Sequence, residues 1–298
     1  MTEKTSVFSK ATFFLSLVLT AERKNMNSFM SWVGGKKNLR DEVLARFPPY
    51  YERYIEVFGG AGWVLFHKPP GMDFEVYNDF NSNLANLYRC VRDKPAKLKY
   101  KLRYVLDSRE DFEYLAILHK RGILPRLYDV DRAAKFYQLI RYSYASGLDS
   151  FGSQPHSIWS DFPMIDLAAR RLQKVVIENK DFEKLVRQYD RPVSFFYCDP
   201  PYFATENYYK DVGFTAKDHI RLRDTLLEIK GKFLVSYNDC PEIREIWDKP
   251  NIHIEEISRL NNLAQRYDAG CQYGELLISN YDTSERAKAI KQLSLFDN

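Results

Sequence analysis

The run VSFFYCDPPY, Val193 to Tyr202, carries strand formers into a carboxylate, two prolines and an aromatic ring. Asp-Pro is common punctuation after a strand, so a plain strand stop would account for it. The same residues also suit a definite chemistry. An aromatic amine is a weak nucleophile because its lone pair is delocalised into the ring. Hydrogen-bond acceptors aimed at its N–H groups favour a more tetrahedral nitrogen, which can attack a methyl sulfonium in line. Asp199 offers one acceptor and the Pro200 carbonyl another. The prolines fix the backbone and remove a competing N–H. Tyr202 could then stack on a base swung out of a duplex.

Further stretches bear on a cofactor. In EVFGGAGWV, Glu56 to Val64, Gly60 and Gly62 form a GxG after a strand, and a helix should start near Val64. A dinucleotide fingerprint would place another glycine where Leu65 stands, which weakens a nicotinamide reading. Asp79 ends the next strand and could accept both hydroxyls of a ribose, or could cap a helix starting near Asn81. Glycines and acid together point to an adenosine-containing cofactor. In SWVGGKK, Trp32 could cover a ligand and Lys36 neutralise a carboxylate, although an ordinary turn has the same composition. Cys198 sits within an apolar strand, where packing is its expected role and not nucleophilic attack.

The elements that must position these residues follow an α/β pattern without internal repeats. Strand character appears at Tyr54 to Gly60, Phe74 to Asp79, Val175 to Asn179, Phe195 to Asp199, Lys232 to Asp239 and Glu275 to Tyr281. From Ser82 to about Tyr144 the periodicity is helical, with Leu84, Leu87, Tyr88 and Val91 on one face. Ser146 to Pro163, rich in Gly, Pro, Ser and Asp, reads as a long loop or hairpin. Net charge is only +4, but Arg89 to Arg141 holds 14 Lys/Arg against 7 Asp/Glu, interleaved with Tyr100, Tyr104, Tyr114, Tyr128, Tyr137 and Tyr142. That suits a phosphate-facing lobe or, equally, a solvated helical bundle.

Cys90, Cys198, Cys240 and Cys271 form no CxxC pair, which argues against a zinc site or disulfide framework and for a reducing, cytoplasmic setting. Residues 1–25 look like the charged and apolar parts of a signal peptide, yet the apolar run is about half a membrane span. Met26 offers an internal start, so a dispensable leader is the preferred reading, and no membrane association is expected.

SWVGGK, EVFGGAGWVLF, YNDFNSNL, IENKDF, FFYCDPPY and ELLISNY occur in the order found in Dam-type DNA adenine-N6 methyltransferases, the D12 class, and the chain resembles that family from about Met26 to Asp282. The resemblance implies a Rossmann-like core that uses S-adenosylmethionine, built from 26–88 and 172–282, with a mainly helical target-recognition insertion at 89–171. It implies methyl transfer to N6 of a flipped adenine in double-stranded DNA, with no metal required. Trp32, Lys36, Asp79 and Asp199 would contact the cofactor, Phe58, Gly60 and Gly62 would line its pocket, and Asp181 and Phe182 would lie near its adenine. Asp199, Pro200 and Tyr202 would hold the target base. Many relatives have proline where this chain has Val57, which bears on the local turn. Arg141, Ser153, Gln154 and His156 are candidates for DNA contact, although Arg141 could instead pair within the core.

The rivals are an N4-cytosine methyltransferase, which more often carries Ser-Pro-Pro-Tyr, an RNA adenine methyltransferase, which usually lacks so long an insertion, and a DNA-binding protein without catalysis. In the tail, 283–298, Gln292, Leu293, Leu295 and Phe296 resemble the peptide that docks bacterial proteins on the sliding clamp, and would bring a nucleoid-associated enzyme to new DNA. A terminus packing on its own domain is the competing expectation.

Overall fold

A computed structural model describes residues 26–203, 213–260 and 272–294. The leader 1–25, Cys271, Leu295 and Phe296 lie outside the described residues. Seven strands form one sheet: β1 (Arg53–Glu56), β2 (Phe74–Asn78), β3 (Val175–Glu178), β4 (Ser194–Cys198), β5 (Lys232–Asn238), β6 (His253–Leu260) and β7 (Gln272–Ser279), in the order β3-β2-β1-β4-β5-β7-β6. The first five neighbours pair in parallel, and β7 runs antiparallel to both β5 and β6. This is a Rossmann-like α/β sheet.

Every residue of β4, SFFYC, is buried. A strand covered on both faces loses the alternation of a half-exposed one, which is why this segment reads as a continuous apolar run. Phe195 and Tyr197 join one hydrophobic cluster and Phe196 and Cys198 the other, so the side chains alternate between two core layers. Cys198 is a free thiol whose pKa burial pushes well above its ordinary value, consistent with packing. The strand β6 was not expected from the sequence. Among the described residues it pairs only with β7, at the sheet edge, and its apolar residues Ile254 and Ile257 are interrupted by charged ones.

The helical stretch resolves into α1 (Ser82–Asp93), α2 (Pro95–Leu102), α3 (Arg109–Lys120) and α4 (Asp129–Tyr142), followed by α5 (Phe162–Leu172). Leu84, Leu87, Tyr88 and Val91 are all fully buried on one face of α1. The expected insertion boundaries at 88/89 and 171/172 fall inside α1 and α5, which run on without a break. Among the described residues no separate core sets the insertion apart from the sheet. Tyr54 and Tyr77 of the sheet share one cluster with Phe136 and Tyr137 of α4, and Tyr77 stacks on Tyr88 at 3.8 Å. A buried charge network adds to this tie: Lys68 bridges Asp73 (2.7 Å) and Glu75 (2.9 Å), and Arg171 of α5 grips Glu75 at 2.6 Å. Among the described residues no helix is long and apolar enough to cross a membrane.

Candidate active site

Parallel pairing brings the chemistry to one edge of the sheet. Glu56 at the end of β1 is in register with Tyr77 of β2 and Tyr197 of β4. The segments that follow these strands, with the glycines after β1, Asp79 after β2 and Asp199 after β4, therefore emerge side by side. The strand order reverses at β1, the place where open α/β sheets form a ligand crevice. A cavity of about 280 Å³ lies there. Trp32, Lys36, Phe58, Gly60, Asp79, Asp181, Phe182 and Asp199 all line it. Gly62 does not; it adopts φ +64° as the residue before the helix Trp63–His67, and a Cβ there would meet the Tyr88 hydroxyl oxygen at 2.9 Å. Its glycine is demanded by the turn and by packing.

Asp79 is not a helix cap. Asn81 takes that role by accepting from the N–H groups of Asn83 and Leu84. The Asp79 carboxylate accepts from the N–H of Gly60 (2.8 Å) and of Asn81 (2.7 Å), which aims it across the crevice with lone pairs to spare. Burial raises its pKa to about 6 against the pull of these two bonds. Lys36 places Nζ 2.6 Å from Oδ1 of Asp199 and 4.3 Å from the centre of the Tyr202 ring. Ser236 of β5 donates to the same Asp199 oxygen at 3.0 Å. Burial pushes the Asp199 pKa above the ordinary carboxylate range, and Lys36 draws it back. Pro200 is buried, and Tyr202 donates its hydroxyl to Glu275 of β7.

With this geometry in view, comparison with known proteins is decisive. Residues 32–262 match the family described as D12 class N6 adenine-specific DNA methyltransferase. The chain belongs to this family. It is 29% identical over 286 residues to a type II methyltransferase of Lactococcus lactis subsp. cremoris, covering 89% of this chain and 99% of that protein. It is 27% identical over 259 residues to a DNA adenine methylase of Vibrio cholerae, covering 79% of this chain and 90% of that protein. It is 26% identical over 255 residues to a DNA adenine methylase of Escherichia coli, covering 79% and 89% respectively. The methyltransferase is thus a site-specific enzyme that methylates adenine in DNA, and its family uses S-adenosylmethionine.

The crevice fits that cofactor. Phe58, Phe182 and Phe214 form an aromatic box with ring centres 5.7 to 6.0 Å apart, suited to an adenine ring. Arg221 lies 4.0 Å over Phe182 and pairs with Asp181 at 2.9 Å; burial raises the Asp181 pKa, but this pair and the backbone N–H groups of Glu183 and Lys184 together lower it. Gly60, at φ +49°, leaves room for Trp32, whose Cδ1 would lie 3.1 Å from an added Cβ. Free carboxylate lone pairs on Asp79 suit ribose hydroxyls, and the Lys36 ammonium suits a carboxylate.

Sequence reasoning missed several residues of this wall. Glu56 lines the cavity, is almost fully buried and accepts from the Tyr54 hydroxyl at 2.7 Å. Burial, with the nearby Asp199 charge, raises its pKa to about 8, against the opposing pull of the Tyr54 bond. Its position before the glycines was the available signal. Ser146, Gly147 and Leu148 of the insertion also reach the cavity, with Ser146 bonded to Ser31 at 2.6 Å. Ala145, Ser146 and Leu148 all adopt positive φ, so this stretch is a strained turn. It belongs to a hairpin closed by the Ser143–Phe151 bridge, and the expected long loop ends in a helical turn at Ile158–Asp161.

The candidates for DNA contact divide. Ser153 and Gln154 are exposed on the loop after the hairpin. Arg141 takes the alternative of pairing within the fold: its guanidinium forms a two-pronged pair with Asp161 at 2.9 and 3.0 Å and a contact to His156 Nε2 at 2.8 Å. Those donors are spent inside the fold. His156 shares this cluster, with Nε2 3.0 Å from Asp161. Of the tyrosines in the basic segment, Tyr100, Tyr104, Tyr114 and Tyr128 are exposed, whereas Tyr137 and Tyr142 are core residues.

Proposed function

We propose that Asp199, Pro200 and Tyr202 hold a flipped adenine for methyl transfer, while Trp32, Lys36, Phe58, Gly60, Asp79, Asp181 and Phe182 seat the cofactor. The observation that carries this reading is the crevice on which Asp79 and Asp199 converge from β2 and β4, the strands on either side of β1, with Lys36 bonded to Asp199. S-adenosylmethionine, when bound, supplies the methyl group. Asp199 and the Pro200 carbonyl accept from the N6 amine, which concentrates the lone pair on nitrogen as it attacks. Tyr202 stacks on the base, and Lys36 favours the ionised form of Asp199, without which the aspartate is a poorer acceptor. Ser236 fixes the carboxylate rotamer.

The insertion 89–171 we assign to target recognition, with Ser153 and Gln154 as base or backbone contacts and the exposed basic helices near phosphates. Support comes from the concentration of positive charge and exposed tyrosines there. We place the enzyme in the cytoplasm at the nucleoid, in keeping with its DNA substrate, and the tail on a sliding clamp. Gln292 and Leu293 fall in the last turn of the helix Glu285–Ser294, so docking as a peptide would unravel that turn. Deleting 292–298 is expected to abolish clamp pull-down; unchanged capture removes the tail from this proposal.

The central test is Asp199→Ala: methyl transfer is abolished while DNA binding survives. Equal methylation by the variant and the wild type would contradict the assignment. Single-molecule sequencing of DNA from an expressing host reports the modified base and its context together.

A further inference from the structure

We infer that Glu275 is a positioning residue for methyl transfer, acting through the Tyr202 hydroxyl to orient the ring that faces the target base and to enrich its electron density. This inference rests on the placement of Tyr202 against the base proposed above. Glu275 lies on β7, is 1% exposed and accepts the Tyr202 hydroxyl hydrogen. Its neighbour across the ladder is Asn238 of β5, the strand that also supplies Ser236 to Asp199. The antiparallel end of the sheet thereby braces both halves of the DPPY segment, the carboxylate and the ring.

A buried carboxylate is an expensive way to hold a tyrosine, since a neutral acceptor would do so with less desolvation. Its charge does something more. A phenol donating to a carboxylate takes on partial phenolate character, which makes the ring face more negative. Lys36 Nζ, 4.3 Å over that ring, is a cation already drawn to it. The adenine acquires positive charge as N6 bonds to the methyl carbon, so an electron-rich face stabilises the transition state more than the neutral base. Such differential stabilisation lowers kcat when it is lost and leaves substrate affinity almost untouched. The Glu275 charge also raises the Asp199 pKa, among the other groups that face it: Lys36, Ser236, Glu56, Tyr197 and Tyr202.

Kinetics on a duplex of the sequence found by methylation mapping, and fluorescence of a second, non-reacting duplex in which 2-aminopurine replaces the target adenine and reports base flipping, test this directly. Glu275→Gln is expected to lower kcat about tenfold, leave the DNA KM and the flipping signal within about twofold, and move the acid limb of kcat to lower pH. Tyr202→Phe combined with Glu275→Gln should be no slower than Tyr202→Phe alone, because Glu275 acts through the hydroxyl that Phe lacks. An unchanged kcat in Glu275→Gln, additive losses in the double variant, or a loss carried wholly by DNA KM overturns the inference. Should Glu275→Gln fail to fold, Tyr202→Phe decides: reduced kcat at unchanged DNA KM supports the inference, and wild-type kcat overturns it. Asp199→Ala runs alongside. Activity in that variant defeats the reading of the site itself, whereas a dead Asp199→Ala with a wild-type Glu275→Gln defeats only the present inference.

Discussion

Lys36, in a loop before the sheet, places its Nζ 2.6 Å from Oδ1 of Asp199 at the end of β4, and both side chains are largely withdrawn from solvent. The pair joins the residue expected to neutralise a cofactor carboxylate to the residue expected to activate the amine. Burial alone would leave Asp199 protonated more readily, and the ammonium opposes that.

Lys36→Met should therefore raise the Asp199 pKa further. The acid limb of the pH–rate profile is expected to move to higher pH, and kcat/KM near neutrality to fall about 100-fold. A pH profile of single-turnover methylation checks it, and an unmoved acid limb would show that Lys36 does not act on Asp199.

Asp79 should make cofactor affinity depend on pH. Its pKa is raised to about 6 by burial, so acidification through that value protonates the carboxylate proposed to accept the ribose hydroxyls. Dissociation constants measured by calorimetry are expected to rise as pH falls below about 6, by up to about tenfold per unit. Asp79→Asn should bind weakly at every pH and lose the dependence.

Glu56 should make stability fall with rising pH. In the native state it holds its proton up to about 8, whereas its ordinary value is 4.5. Between these limits the folded state binds more protons than the unfolded one, so this contribution is complete at low pH and is lost as pH climbs through about 8. Glu56→Gln, which has no proton to lose, should melt above the wild type at about pH 9 and converge with it near about pH 4.5. Thermal melts without cofactor across that range are the measurement.

Arg141→Ala should damage folding more than DNA binding. It takes the two-pronged guanidinium from Asp161, whose side chain is only 10% exposed and which keeps its contact to His156, and costs about 2 kcal/mol. Denaturant titration should register that loss, while the salt dependence of DNA affinity stays that of the wild type. A shallower salt slope would return Arg141 to the phosphate contacts.

The chain alone determined the order of strand, glycine loop, strand, acid and DPPY, and hence the fold class and cofactor. Those signals are local: a buried strand is apolar along its length, and the chemistry sits within a few residues of its end. The positions of Asp79 and Asp199 just past strand ends were legible for that reason. What tertiary structure decided depends on neighbours far apart in sequence. That Asn81 and not Asp79 caps α1, that Arg141 is consumed by Asp161, and that the insertion shares the sheet's core follow from packing. Glu275 and Ser236 reach the site only because β4, β5 and β7 lie side by side in one register. Strand order and register arise from the summed burial of many side chains, and no short stretch of residues carries that sum.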